Sequence, residues 1–323
     1  MDRRMPISDF VIEYRARDTD MSGAPLPRAW ITGLSAVAGG LAMIATACGI
    51  LTGFGAHHRT FLSLRGETVT MQGSGLYAND SLSGASQAIG QDFVTLLVAV
   101  PLLAVATWLA LRGSLRGRIL RSGALLYFAY TYLLMAFGGA YNPLFLVYVA
   151  VFSSSLFALV LSLLSIDAGH LRSRFSGRFR RRLVGWVMIG FGSMLAAMWI
   201  GRIAPSLLGG NAPVGLDSYS TLFVQAGDLA IVVPLTISSG ILLLQRRPAG
   251  YLLAGVMLVK GSTFGLALIG MIVAMAAMGT QVVLPEAVFF TTLALTMTVC
   301  AVHFISCLPR LPKAKAREIS LAS

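Results

Sequence analysis

The chain has 323 residues, 56% of them hydrophobic and 12% charged, with a formal net charge of +12 and a mean hydropathy of +0.77. That balance excludes an ordinary soluble domain of this length and makes lipid the main solvent of the chain. It also removes the usual meaning of a strongly basic protein: most of the 25 Lys and Arg residues lie in short clusters between apolar stretches, where anionic headgroups rather than nucleic acid attract them.

Residues 1–29 are polar and mixed in charge, without the apolar core and small-residue site of a cleavable leader. Within them Ile7, Phe10, Val11 and Tyr14 recur at helical spacing behind Pro6, which predicts a short interfacial helix in a cytoplasmic N-terminal segment. Eight apolar stretches follow at 30–54, 93–111, 123–140, 143–165, 183–203, 221–244, 251–278 and 284–308. Most reach the roughly 20 residues needed to span about 30 Å of hydrocarbon, and the third is short. A chain of this kind must be helical in the bilayer, because an open sheet leaves backbone groups unpaired in lipid.

Basic clusters fall at Arg3 to Arg28, Arg112 to Arg121, Arg172 to Arg182, Arg246-Arg247 and Arg310 to Arg317, each an even number of spans from the next. The positive-inside rule then places both termini and these loops in the cytoplasm, in what the Ala-, Gly- and Arg-rich composition suggests is a bacterial cytoplasmic membrane. The expected fold is an all-α polytopic integral membrane protein, with a transmembrane domain over 30–308 and a basic cytoplasmic tail over 309–323. The loop from 171 to 182 interleaves arginines with Phe175 and Phe179, a composition suited to the headgroup layer.

The long outer loop, 55–91, reads as a β-hairpin over 61–64 and 68–71 around Gly66, followed by Gly-rich turns. An internal echo runs along the chain. Pro101 and Pro234 are 133 residues apart, as are Gly117 and Gly250, and Asp80-Ser81 is matched by Asp217-Ser218. This predicts two four-helix halves of like orientation, as in parallel-repeat transporters.

Charges inside spans are costly and therefore functional candidates. Lys260 falls near the bilayer midplane and Asp228 in the outer part of the sixth span, on adjacent antiparallel helices but at different heights. The repeat sets Tyr127 opposite Lys260 as a hydroxyl acceptor. Asp92, Asp228 and Glu286, with Gln225 and Gln91, outline an acidic outer vestibule, although Asp92 and Glu286 also suit the positive ends of inward-running helices. Gly261 and Gly265 form a close-packing GxxxG beside Lys260. His303 reads as a packing residue. Cys48, Cys300 and Cys307 lie in apolar spans without metal spacing, no cofactor is called for, and the familiar phosphate-loop, HExxH and GxSxG signatures are absent. Three functions fit these residues. A transporter or ion-coupled permease using Asp228 and Lys260 leads; a non-catalytic sensor, assembly factor or complex subunit with a protein partner or oligomer follows; an intramembrane enzyme on lipid-linked substrates is third.

Overall fold

The computed structural model describes residues 28–309, apart from 56, 64, 176, 211 and 214. The predicted interfacial helix and basic tail lie outside the described residues. In chain order, α1 (Arg28–Thr52) precedes β1 (Arg59–Leu62) and β2 (Thr68–Met71), then α2 (Leu82–Leu111), α3 (Leu115–Phe137), α4 (Phe145–Leu164), the short α5 (Ala168–Ser173), α6 (Arg181–Gly209), α7 (Phe223–Leu244), α8 (Pro248–Ala277) and α9 (Leu284–Ser306). All of these helices except α5 are long and apolar enough to cross a membrane, eight among the described residues, so the protein is a multi-pass membrane protein. Exposed large apolar side chains such as Leu97, Val105, Leu146, Met194, Leu295 and Val299 form its lipid-facing surface. One face carries the β-hairpin and the other the arginine-rich turns.

Two helices begin well before their apolar runs. At α2, Ser81 caps the first turn by accepting from the Gly84 amide at 3.0 Å, and the polar stretch Leu82–Gln91 is buried in protein rather than lipid. Its Gly90 meets Gly270 of α8 backbone to backbone, a spacing that no side chain larger than hydrogen admits. At α3, Ser114 caps through the Gly117 amide, and the arginines that depress hydropathy there reach groups of other helices. Arg116 donates to the carbonyls of Ser306 and Leu308, while the buried Arg121 reaches Ser162 at 3.3 Å. The third span is thus of full length.

The hairpin is antiparallel, from Arg59 opposite Met71 to Leu62 opposite Thr68, with Gly66 at φ 84° in its turn. Phe175 and Phe179 pack at 4.7 Å on each other and against Tyr251 and Phe304 at the helix ends. His303 accepts from the Arg180 amide at 3.1 Å and stacks on Phe179, a packing role as expected.

Two features position the interior. Each of α2 and α7 contains one π turn, Thr95–Ala99 and Asp228–Val232, just before Pro101 and Pro234. Proline supplies no N–H and its ring crowds the carbonyl four residues back, so the helix widens there. The turns that follow also match in detail: Gly117 abuts Leu109 and Ala110 as Gly250 abuts Leu242 and Leu243. The second feature is a difference in packing. α1 packs along α4, whereas α6 packs on α7 and α9 on α8 without α6 and α9 packing along each other.

Candidate functional site

Between α2, α3, α6, α7, α8 and α9 lies a cavity of about 490 Å³, within the size range of small-molecule sites. Its wall runs from hairpin-face residues such as Gly215, Thr221 and Gln281 to a floor of Met188, Thr236, Met257 and Met297. Of the predicted residues, Asp228, Lys260, Gln225 and Glu286 line it, with Gln91. Tyr127 and Asp92 do not.

Asp228 opens the π turn of α7 and is 5% exposed. It accepts two hydrogen bonds, one from the Tyr130 hydroxyl and one from Trp199 Nε1 at 2.9 Å. Lys260 is 3% exposed, and its Nζ stands 4.1 Å from the centroid of the Tyr130 ring and 4.2 Å from that of Phe264. The two charges form no direct ion pair. Tyr130 joins them instead, offering its ring to the cation and its hydroxyl proton to the carboxylate. A Lys side chain on α8 leans toward the helix N-terminus, away from the level of Asp228, which leaves a gap of the right height for one aromatic ring.

The expected partner was Tyr127. Its hydroxyl is 2.6 Å from Thr95 Oγ1 and its ring only borders Phe264, so it is no acceptor for Lys260, which instead meets the ring of Tyr130, one turn nearer the hairpin face. The physical reason lies in the opposing helix: Thr95, at the head of the π turn in α2, already holds the Tyr127 hydroxyl.

The reading of Asp92 as a helix-start carboxylate is also corrected. Because α2 begins at Leu82, Asp92 lies well inside it, faces Gly49 of α1 and accepts from the Tyr77 hydroxyl at 2.6 Å. Burial, and then the nearby Asp92 carboxylate, push the Tyr77 phenol up, which keeps it a donor. Glu286 does sit in the first turn of α9, and it pairs with Arg202 of α6 at 3.2 Å.

Three members of the site carried no sequence signal that distinguished them: Tyr130, Trp199 and Arg202. The mouth of the cavity was partly marked. Its two Asp-Ser pairs touch, with Ser81 donating to Asp217 at 2.8 Å, while Tyr219 donates to Asp80 at 2.9 Å and the Ala140 amide to the same oxygen at 3.1 Å. Burial raises the Asp80 carboxyl, against the pull of those two donors, and burial beside Asp80 raises the Tyr219 phenol.

The chain matches no family model, no curated protein and no solved structure. The site therefore rests on its own geometry. Gly265 of the GxxxG meets the backbone of Ala294, so α9 is the helix brought close beside Lys260. Among the described residues no cluster of His, Cys, Asp and Glu suits a metal ion.

Proposed function

We propose that the protein is a transporter that admits its cargo from the hairpin face into the cavity, with Lys260, Tyr130 and Asp228 at the binding level. One observation carries this reading: a cavity that begins at a membrane face is lined by both Asp228 and Lys260, two charges buried within spans. Such charges in a packing role have no reason to border empty volume. The arginine-rich face would be cytoplasmic by the positive-inside rule, its clusters resting on anionic lipid, and the cavity would then face outward.

The reading includes two related four-helix halves. Their support is the common offset of the π turns, the prolines and the glycine contacts, and the same offset links Thr95–Tyr127 to Asp228–Lys260. In this scheme the α1–α4 side is the closed form of the arrangement and the α6–α9 side the open form. Drawing α6 and α9 together would shut the cavity. The second reading, a non-catalytic sensor or subunit, takes support from Asp228, whose two oxygens each have a donor in the manner of a paired structural charge.

The test uses a protein without its native Cys48, Cys300 and Cys307 and with single cysteines from Gln225→Cys or Lys260→Cys. Both should react with a membrane-impermeant thiol reagent added on the hairpin side. Protection of both from either side, in protein that remains folded, rules out the transport reading in favour of the subunit.

A further inference from the structure

The cavity's polar groups divide into those with partners and those without. Every carboxylate at its wall is supplied with donors: Asp228 by Tyr130 and Trp199, Glu286 by Arg202, Asp217 by Ser81, and Asp80 by Tyr219 and the Ala140 amide. No wall carboxylate is left waiting for a cation. Lys260 and Gln225 are the opposite case. Among the described residues neither side chain has a hydrogen-bond partner, although Lys260 is 3% and Gln225 9% exposed, and both border the cavity. Aromatic faces stabilise an ammonium charge, but they leave its three N–H donors unsatisfied. An ammonium and a primary amide on adjacent helices are suited to a ligand bearing at least two acceptor oxygens.

Below and beside them the wall is apolar and elongated. Met188, Phe191 and Leu195 of α6 face the cavity at helical spacing, and so do Phe290, Leu293 and Met297 of α9. Methionine adapts its shape to irregular apolar ligands. Side chains bridge the seam between these helices, through the Arg202–Glu286 pair at 3.2 Å and the Trp199 and Phe290 rings at 6.4 Å.

We propose that the cavity takes a long-chain anionic amphiphile, its carboxylate or phosphate head on Lys260 and Gln225 and its chain in the methionine- and phenylalanine-lined slot between α6 and α9. This ligand assignment rests on the transport reading of the same cavity. Sideways entry past the seam lets the chain remain in an apolar medium while the head moves to Lys260.

Trp199 reports on the slot directly. Replacing the lipid-exposed Trp30, Trp108 and Trp186 by Phe leaves it the sole tryptophan, in purified protein in nanodiscs of zwitterionic lipid. Dibromostearic acid should quench Trp199 at a concentration at least tenfold lower than dibromostearyl alcohol, since a hydrogen bond to a charged group is worth roughly ten- to a hundredfold in affinity. Affinity for unbrominated competing acids should rise about fourfold per added methylene. Lys260→Met should erase the preference for acid over alcohol. Inorganic phosphate should not displace the acid.

Equal quenching by acid and alcohol in the unsubstituted site overturns the head-group assignment without recourse to any variant at Lys260. Displacement by inorganic phosphate assigns the site to a free anion and overturns the chain. Failure of the acid while cysteines at 225 and 260 are labelled removes the amphiphile and leaves transport standing. Binding of the acid with both cysteines sealed removes transport and keeps the ligand.

Discussion

Tyr130→Phe removes one oxygen atom and tests whether the bridge between the two buried charges is an energetic link. The phenyl ring is retained, so the cation contact at 4.1 Å and the edge-on packing against Phe264 at 5.4 Å persist and no large void forms. What is lost is one of two donors to a carboxylate that is 5% exposed. Buried hydrogen bonds to charged groups contribute about 1.5 to 3 kcal/mol in soluble proteins. Interhelical bonds in membranes average about 0.6 kcal/mol and reach about 1.7, because the unfolded chain in lipid also finds partners. Asp228 keeps Trp199 in the variant, so a loss of about 1 to 2 kcal/mol is expected. The assay is SDS-driven unfolding in mixed micelles, run as a double-mutant cycle with Asp228→Ala. The cycle should show a coupling of about 1 kcal/mol. A coupling within about 0.3 kcal/mol of zero would refute the bridge and leave Tyr130 as a packing ring alone.

Gly90→Val forces apart the backbones of α2 and α8 where they touch, and should destabilise by about 2 to 4 kcal/mol in the same assay, against less than about 0.5 for Gly40→Val, whose Cβ would meet open space. Glu286→Gln breaks a partly exposed pair, so stability should change by less than about 1 kcal/mol while labelling of a cysteine at 260 speeds up; slower labelling would show that Arg202 does not hold the seam. Asp80 provides a pH signature. Its carboxyl is raised in the folded protein by burial, so its contribution is complete below the ordinary carboxylate range and is lost as pH rises through the raised value. The hairpin face should therefore resist limited proteolysis best in acid, with Asp80→Asn abolishing the dependence; an unaltered profile in that variant would assign it to another group.

The eight spans were legible because hydropathy and arginine placement act along the chain, one segment at a time. The start of α2 was not, since Leu82–Gln91 is polar enough for a loop and is made helical by what covers it, Gly270 and the residues after the hairpin. Arg121 likewise masked the first turns of α3, because the residue that shelters it, Ser162, belongs to another helix. At the site, hydropathy singled out Lys260 and Asp228 as expensive residues and Gln225 came with them, but the groups that complete it are not unusual in a span. Tyr130 differs from its neighbours Tyr127 and Tyr132 only by rotation about the axis of α3, and Trp199 and Arg202 matter through α7 and α9. Rotation of one helix against another is a property of packing and leaves no mark in a single sequence.

The π turn at Asp228–Val232 has a heritable consequence. A π turn holds one residue more than the α-helical turn it replaces, so everything before it is rotated by about 100° relative to an uninterrupted helix. Loss of a single codon from 229 to 232 would restore the plain helix, swing Gln225 away from the cavity and leave the length, hydropathy and charge of the span almost untouched. In the proposed reading, ligand binding is thus separable from membrane insertion by the smallest in-frame change available to a gene.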